Sequence, residues 1–220
     1  MLYSREKKFL FIHIPKTAGK SIKEALSRYT FSPGAVNFIC RRLGKVFPPL
    51  VPLFLYRFQT YDPHLLYREV QKFIPAQELE NCFKFCFVRN PYERIISYYN
   101  HILSHPDHAF HKRVQQWGSF EAMVLRLPEL NEPSQASFIK NESGTLAMDF
   151  VGRFEELHRD FESINSRLSL QMKLPWVNLS HTKSDVEKFC SDNTKLSIYR
   201  IYEEDFDLFE YPNCLKGKAL

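Results

Sequence analysis

The chain has 220 residues, of which 44% are hydrophobic and 20 are Phe, and its formal net charge is +5. This length and composition predict a single globular domain over residues 1–220 and exclude a disordered chain. The positive charge is smaller than the excess expected of a protein that binds a nucleic-acid backbone, so we expect no nucleic-acid partner.

The cysteines and the N-terminus bear on the compartment. Five cysteines form an odd number without framework spacing, which favours reduced thiols in a reducing compartment. No apolar run reaches the roughly 18–20 residues that span a bilayer, and the charged residues 4–8 lead into only six apolar or near-apolar residues, too few for a signal peptide. We predict a cytoplasmic protein without a membrane span; the alternative is a Golgi-lumen protein trimmed of its anchor. The sequence leaves the oligomeric state open.

Strand and helix patterns alternate along the chain. Three short apolar runs are typical of buried strands: residues 8–14, 83–88 and 150–154. A helix is predicted after each strand, at residues 20–29, 92–103 and 155–168, and Asn90 is suited to cap the second of them before Pro91. Further helical patterns occur at residues 65–73, 120–127, 184–190 and 194–204. This order predicts an α/β fold with a mainly parallel sheet, in which ligands bind beyond the carboxyl ends of the strands.

The turn after the first strand carries residues suited to an anion. They are Pro15, Lys16, Thr17, Ala18, Gly19, Lys20 and Ser21. Backbone N–H groups at a strand-to-helix turn converge on a concave site, and the helix N-terminus adds partial positive charge. The small residues let an anion approach the backbone, while the lysines and hydroxyls add charge and donors. This loop is therefore predicted to bind a phosphate or a sulfate.

The end of the same loop also matches a nucleoside-triphosphate P-loop. That pattern requires a glycine where this chain has Ile14, which lies inside the predicted strand. In addition, Asp149 precedes its strand instead of ending it, so no magnesium-binding acid is placed. A nucleoside-triphosphate-dependent small-molecule kinase is therefore the weaker alternative.

A second turn follows the second predicted strand. Arg89 ends that strand and Ser97 lies on the next helix. A guanidinium can hold a phosphate through two hydrogen bonds, and a hydroxyl adds one more donor. Two anion sites at neighbouring strand ends suggest a ligand with separated phosphates. The alternative is that Arg89 pairs with a carboxylate and Ser97 faces solvent; Glu93 and Arg94 are interpreted as a local ion pair.

Residues 11–21 and 87–99 together resemble the two cofactor signatures of carbohydrate sulfotransferases, in the branch of the heparan sulfate 2-O- and the chondroitin and dermatan 4-O-sulfotransferases. Three further blocks match in the same order, at residues 149–157, 174–180 and 201–209. The resemblance implies a P-loop-containing nucleotide hydrolase-like three-layer α/β/α core. It also implies the cofactor 3′-phosphoadenosine-5′-phosphosulfate (PAPS), with 3′-phosphoadenosine 5′-phosphate (PAP) as product.

The resemblance assigns roles to single residues. The loop of residues 15–21 would hold the 5′-phosphosulfate, with Lys16 stabilising the leaving group, and Arg89 and Ser97 would hold the 3′-phosphate. His64 looks like the catalytic histidine of the family and is predicted to be the base, whereas His13 is interpreted as a core or supporting group. No metal is expected. Within the loop, Lys20 departs from the family, which usually has Thr or Ser there.

The remaining polar cluster and the acceptor are less defined by the sequence. The cluster consists of His101, His105, His108 and His111. It is interpreted as a solvated or substrate-facing loop, with a zinc site as the alternative, because Pro106 interrupts the helical face. The acceptor is expected to be a small molecule or an oligosaccharide, selected by residues 31–59 and 103–141. A non-catalytic nucleotide- or polyanion-binding module is the alternative to an enzyme.

Overall fold

The computed structural model describes residues 1–30, 64–175 and 183–213. The predicted acceptor segment 31–59 and residues 176–180 of one family block lie outside these ranges. The chain divides into two compact units, a sheet unit (Met1–Val88 with Ser137–Val177) and a helical unit (Arg89–Ala136 with Asn178–Leu220). The prediction of one domain for residues 1–220 stays a prediction.

Within the described ranges, four strands form one sheet in the order β1-β2-β3-β4: β1 (Leu2–Ser4), β2 (Phe9–Ile12), β3 (Phe83–Val88) and β4 (Phe150–Arg153). The strand β1 is antiparallel to β2, whereas β2 pairs in parallel with β3 and β3 in parallel with β4. The three predicted strands and the mainly parallel α/β sheet are confirmed. The strand β1 was not predicted, because three residues are too few to show an alternating pattern.

The helices occupy both units. In chain order they are α1 (Gly19–Leu26), α2 (Tyr67–Val70), α3 (Ala76–Glu80), α4 (Pro91–Ser104), α5 (His111–Trp117), α6 (Phe120–Val124), α7 (Leu127–Leu130), α8 (Gln135–Ile139), α9 (Leu157–Leu168), α10 (Lys183–Phe189) and α11 (Asp192–Leu208). Two 3₁₀ turns, Ser27–Tyr29 and Phe154–Glu156, adjoin α1 and α9. The short helices α3, α5, α7 and α8 were not predicted, since so few residues carry little periodicity. Among the described residues no helix combines the length and the apolar character needed to cross a membrane.

Aromatic side chains form the core of the sheet unit. Alternate residues of β2 and β3 point to one face, where α1 and α9 cover them. The rings of Phe11 and Phe85 stack with their centroids 5.3 Å apart. The fully buried members of this face are Phe9, Phe11, Phe85, Phe87 and, from the helices, Ile22 and Leu26. Burying each Phe contributes roughly 1.5–3 kcal/mol, so this core fixes the position of α1 against the end of β2.

In the helical unit, α4 packs against α10 and α11. The Asn90 side chain accepts a hydrogen bond from the Tyr92 N–H at 3.0 Å, and Pro91 is the first helical residue, as predicted. The ring of Tyr92 lies 4.8 Å from that of Phe206 on α11. The helix α11 has a non-helical backbone at Tyr202, so a kink divides it close to its C-terminal end.

Candidate functional site

The loop between β2 and α1 has an unusual backbone. Lys16 and Ala18 both lie in the left-handed region, with φ of 69° and 64°. This region is uncommon for residues with a Cβ atom, and such residues cluster at ligand clamps. Left-handed residues in a turn can direct neighbouring N–H groups toward one concave side, which suits an anion. The backbone geometry therefore agrees with the anion loop expected from the sequence.

The first turn of α1 follows directly from this loop. Ala18 occupies the N-cap position, and its methyl group gives the first-turn N–H groups no side-chain cap. The hydroxyl of the buried Thr17 donates to the Ile14 carbonyl oxygen at 2.9 Å and so braces the turn from inside. Lys16 and Ser21 are half-buried and Lys20 is exposed. Among the predicted loop residues, the Thr17 hydroxyl thus stabilises the turn itself, and the Lys20 side chain is exposed to solvent.

His13 lies beneath the loop and packs against Gly19. A Cβ atom on Gly19 would lie 1.7 Å from His13 Nε2, so the close approach of ring and backbone requires a glycine. The His13 side chain is only 7% exposed, and its Nδ1 has no hydrogen-bond partner among the described residues. Burial, with smaller contributions from the charges of His64, the N-terminus, Lys23 and Lys16, lowers the pKa of His13 to about 2. His13 is therefore a neutral imidazole, in agreement with its interpretation as a core or supporting group.

His64 lies next to His13, although 51 residues separate them in the sequence. The two rings are 4.5 Å apart, and His64 Nδ1 lies 3.3 Å from the His13 carbonyl oxygen. Because a carbonyl oxygen only accepts, the hydrogen bond places the proton of a neutral His64 on Nδ1 and leaves Nε2 as the basic nitrogen. In this tautomer Nε2 is the nitrogen of the exposed His64 ring that can accept a proton.

Arg89 and Ser97 belong to the helical unit. The Arg89 side chain is 2% exposed, and its Nη2 lies 3.4 Å from the Glu93 carboxylate, so the carboxylate partner weighed from the sequence is present. A guanidinium carries five N–H donors, and a contact with Glu93 is compatible with a bound phosphate. Ser97 is half-buried on α4, one turn beyond Glu93. Arg94 pairs with Glu132, since residues i and i+1 of a helix do not face each other.

Two functional candidates in the helical unit were missed by the sequence reasoning. Gln135 and Asp205 are polar, yet both side chains are 0% exposed, and Gln135 holds the backbone of Arg89. The signal for Asp205 was a carboxylate between Tyr202 and Phe206 on an otherwise buried helix face. Gln135 carried no comparable signal, because its partner is 46 residues away.

The histidine cluster makes local contacts with the backbone. Nδ1 of His105 lies 2.8 Å from the His101 carbonyl oxygen, and Nδ1 of His111 lies 2.9 Å from that of Ile102. His108 Nδ1 accepts from the Phe110 N–H at 3.2 Å. Within residues 1–30, 64–175 and 183–213, no group of three or more His, Cys, Asp or Glu side chains is arranged to hold a metal ion. The interpretation of the cluster as a solvated or substrate-facing loop stays a prediction.

Comparison with known proteins identifies the family. A sequence model of the sulfotransferase family matches residues 1–212, nearly the whole chain. The chain belongs to the sulfotransferase family, and the reaction class is sulfuryl transfer. No curated protein matches it significantly.

Proposed function

We propose that this sulfotransferase moves the sulfuryl group of PAPS to a hydroxyl of a carbohydrate acceptor, either a small molecule or an oligosaccharide. The observation that carries the proposal is the loop between β2 and α1, where left-handed Lys16 and Ala18 lead into a helix without a side-chain cap. As to fold, we propose a single domain whose parallel strands belong to a P-loop-containing nucleotide hydrolase-like three-layer α/β/α core.

The loop fits the phosphosulfate end of the nucleotide. Its backbone N–H groups, the Lys16 ammonium and the Ser21 hydroxyl are donors, which suits the anionic oxygens of sulfate and phosphate. Gly19 adds no side chain to this end of the loop, because His13 occupies the space that a Cβ would take. Lys20 is exposed and adds positive charge at the outer side of the first turn. The proposed binding set is residues 15–21, with Arg89 and Ser97 for the 3′-phosphate.

The reaction needs charge stabilisation and a base. When bound, PAPS supplies an activated sulfuryl group and a nucleotide phosphate as the leaving group. Lys16 and the loop N–H groups would stabilise negative charge on the leaving oxygens, as cations do in phosphoryl transfer. His64 Nε2 takes the proton of the acceptor hydroxyl, because His13 holds the proton of neutral His64 on Nδ1. We expect no metal to be required.

Asp149 does not supply the magnesium ligand that the kinase alternative requires. The Asp149 carboxylate accepts the Lys84 N–H at 2.7 Å and lies 3.0 Å from Lys84 Nζ. Asp149 thus joins the starts of β3 and β4, whereas a magnesium-binding acid would stand at the carboxyl end of a strand.

The test measures nucleotide binding and transfer separately. Wild-type protein is titrated with PAP and assayed with labelled PAPS against sugar, phenol and lipid hydroxyl acceptors. We expect Lys16→Ala to bind PAP within several-fold of wild type and to lose roughly 10²–10³-fold in transfer rate. The matched control is Lys72→Ala, which removes an exposed lysine of the sheet unit outside the loop.

The outcomes separate the alternatives. Absence of PAP binding by the wild type overturns both the function and the site. Binding of PAP without transfer to any acceptor favours the non-catalytic module. Phosphoryl transfer from ATP, combined with inert PAPS, favours the kinase.

A further inference from the structure

The side-chain amide of Gln135 makes two hydrogen bonds with the main chain of Arg89. Its Oε1 accepts from the Arg89 N–H at 2.8 Å, and its Nε2 donates to the Arg89 carbonyl oxygen at 2.8 Å. The Gln135 side chain is 0% exposed, so neither bond competes with water. One amide group therefore satisfies both backbone groups of the residue that we assign to the 3′-phosphate.

The position of Arg89 in the chain explains why its backbone groups need hydrogen-bond partners from a side chain. Strand β3 ends at Val88, whose partner across the ladder is Arg153, and α4 begins at Pro91 after its cap residue Asn90. Arg89 thus follows the last residue of a strand directly and precedes the cap of a helix, so neither element supplies partners for its backbone. Buried backbone N–H and carbonyl groups require partners, and a primary amide can donate and accept at once, as a neighbouring strand would.

Gln135 is itself held by Asp205. The Asp205 carboxylate accepts the N–H of Gln135 at 2.8 Å and that of Ala136 at 2.8 Å, and its side chain is 0% exposed. These N–H groups belong to the start of α8, so a carboxylate on α11 caps that helix. Burial raises the pKa of Asp205, whereas Arg94 and the two N–H groups favour its ionised form. The chain of contacts thus runs from Asp205 through Gln135 to Arg89.

The other end of Arg89 is also held. Its guanidinium contacts Glu93, which lies in the first turn of α4 and is itself buried. With the main chain fixed by Gln135 and the guanidinium directed by Glu93, little conformational freedom remains to be lost when an anion binds.

We propose that Gln135 and Asp205 are positioning residues that orient Arg89 for the 3′-phosphate of the nucleotide. The proposal rests on the proposed function, which assigns Arg89 to that phosphate. If the two residues were purely structural, substituting them would weaken the binding of all nucleotides equally. If they position Arg89, the substitutions weaken the binding of nucleotides that carry a 3′-phosphate and leave the binding of nucleotides without it unchanged.

The experiment compares two nucleotides by calorimetry. PAP and adenosine 5′-phosphate differ only in the 3′-phosphate, and the ratio of their dissociation constants reports the contribution of that group. We expect wild-type protein to prefer PAP. Gln135→Leu keeps the side-chain volume and removes both hydrogen bonds. It should raise the dissociation constant of PAP roughly tenfold or more, and that of adenosine 5′-phosphate less than about twofold.

The controls use the same chemistry elsewhere. Gln77→Leu changes an exposed glutamine on α3 and should leave both constants unchanged. In an Arg89→Ala background, Gln135→Leu should cause no further loss of the PAP preference, because the two residues act through one contact. If Gln135→Leu does not fold, Asp205→Asn carries the same comparison, since it weakens the hold on the Gln135 main chain at constant side-chain size.

Each result decides between the two roles. An equal loss for both nucleotides, or an unchanged PAP preference, overturns the positioning role while leaving sulfuryl transfer intact. A wild-type protein that binds PAP no better than adenosine 5′-phosphate overturns the assignment of the 3′-phosphate to Arg89, and the positioning role with it.

Discussion

The contact between Gly19 and His13 makes a quantitative prediction about the candidate site. In Gly19→Ala the new methyl carbon would lie 1.7 Å from His13 Nε2 and 1.8 Å from Cδ2. Ordinary contacts between such atoms are about 3.5–4.0 Å, so the ring or the start of α1 has to move. The ring is buried, stacks on Phe11 at 6.0 Å, and lies beside His64, so its displacement disturbs the loop as well.

The size of the effect follows from two opposing terms. Overpacking of a buried site costs about 1–3 kcal/mol. Replacing glycine by alanine inside a helix stabilises it by up to ~1 kcal/mol, and by less at the first helical residue. We expect Gly19→Ala to lower the free energy of unfolding by about 1–2 kcal/mol. In a His13→Ala background the clash is gone, and Gly19→Ala should be neutral or slightly stabilising.

The assay is a double-mutant cycle by urea denaturation, followed by far-ultraviolet circular dichroism. The four proteins of the cycle should give a coupling energy of about 1–3 kcal/mol between the two positions. Gly152→Ala is the matched control, because its Cβ would meet the Phe87 ring at 2.6 Å instead of His13. It should be destabilising and additive with His13→Ala. Equal costs of Gly19→Ala in both backgrounds would refute the steric reasoning.

The remaining predictions concern the base, acid stability, the helix cap and metals. His64→Gln should lower the transfer rate by roughly 10²–10⁴-fold and leave the PAP affinity within about twofold of wild type. The control His158→Gln, at an exposed histidine, should change neither quantity. Near-normal turnover of His64→Gln would show that His64 is not the base. Because the pKa of His13 is about 2 in the folded protein, below its unfolded value of ~6.5, its stabilising contribution is present above pH ~6.5 and is lost as the pH falls toward 2. The free energy of unfolding should therefore fall by up to ~1.4 kcal/mol per pH unit more in wild type than in His13→Gln, and equal slopes in urea titrations between pH 7 and 4 would contradict this. Asn90→Ala should cost about 1 kcal/mol in the same titrations, since it removes the cap of α4, and an unchanged midpoint would contradict the cap. A chelator should leave turnover unchanged; a loss that zinc restores would support a metal at the histidine cluster.

Local patterns carried much of the fold and part of the site. The strand β3 has the predicted bounds, and α4 begins after the predicted cap at Asn90, because a short apolar run and a capping residue act within a few positions of the chain. The anion loop of residues 15–21 is predicted for the same reason. The strand β2 ends at Ile12, two residues earlier than predicted, since His13 and Ile14 already lead into the turn.

Long-range contacts could not be derived in this way. His13 meets His64 across 51 residues, and Asp205 meets Gln135 across 70, so no local periodicity reports either contact. The burial of both polar groups depends on which helices pack over them, which is decided only when the core forms.

The sequence by itself determined the mainly parallel α/β sheet and membership of the sulfotransferase family, because each depends on short motifs in fixed order. It also predicts an anion loop after β2. The tertiary structure alone decided that Gly19 faces a neutral, buried His13, that His64 directs Nε2 as its basic nitrogen, and that Gln135 holds Arg89. These features arise from close packing and from the need of buried polar groups for partners, and both act between residues that are distant in the chain.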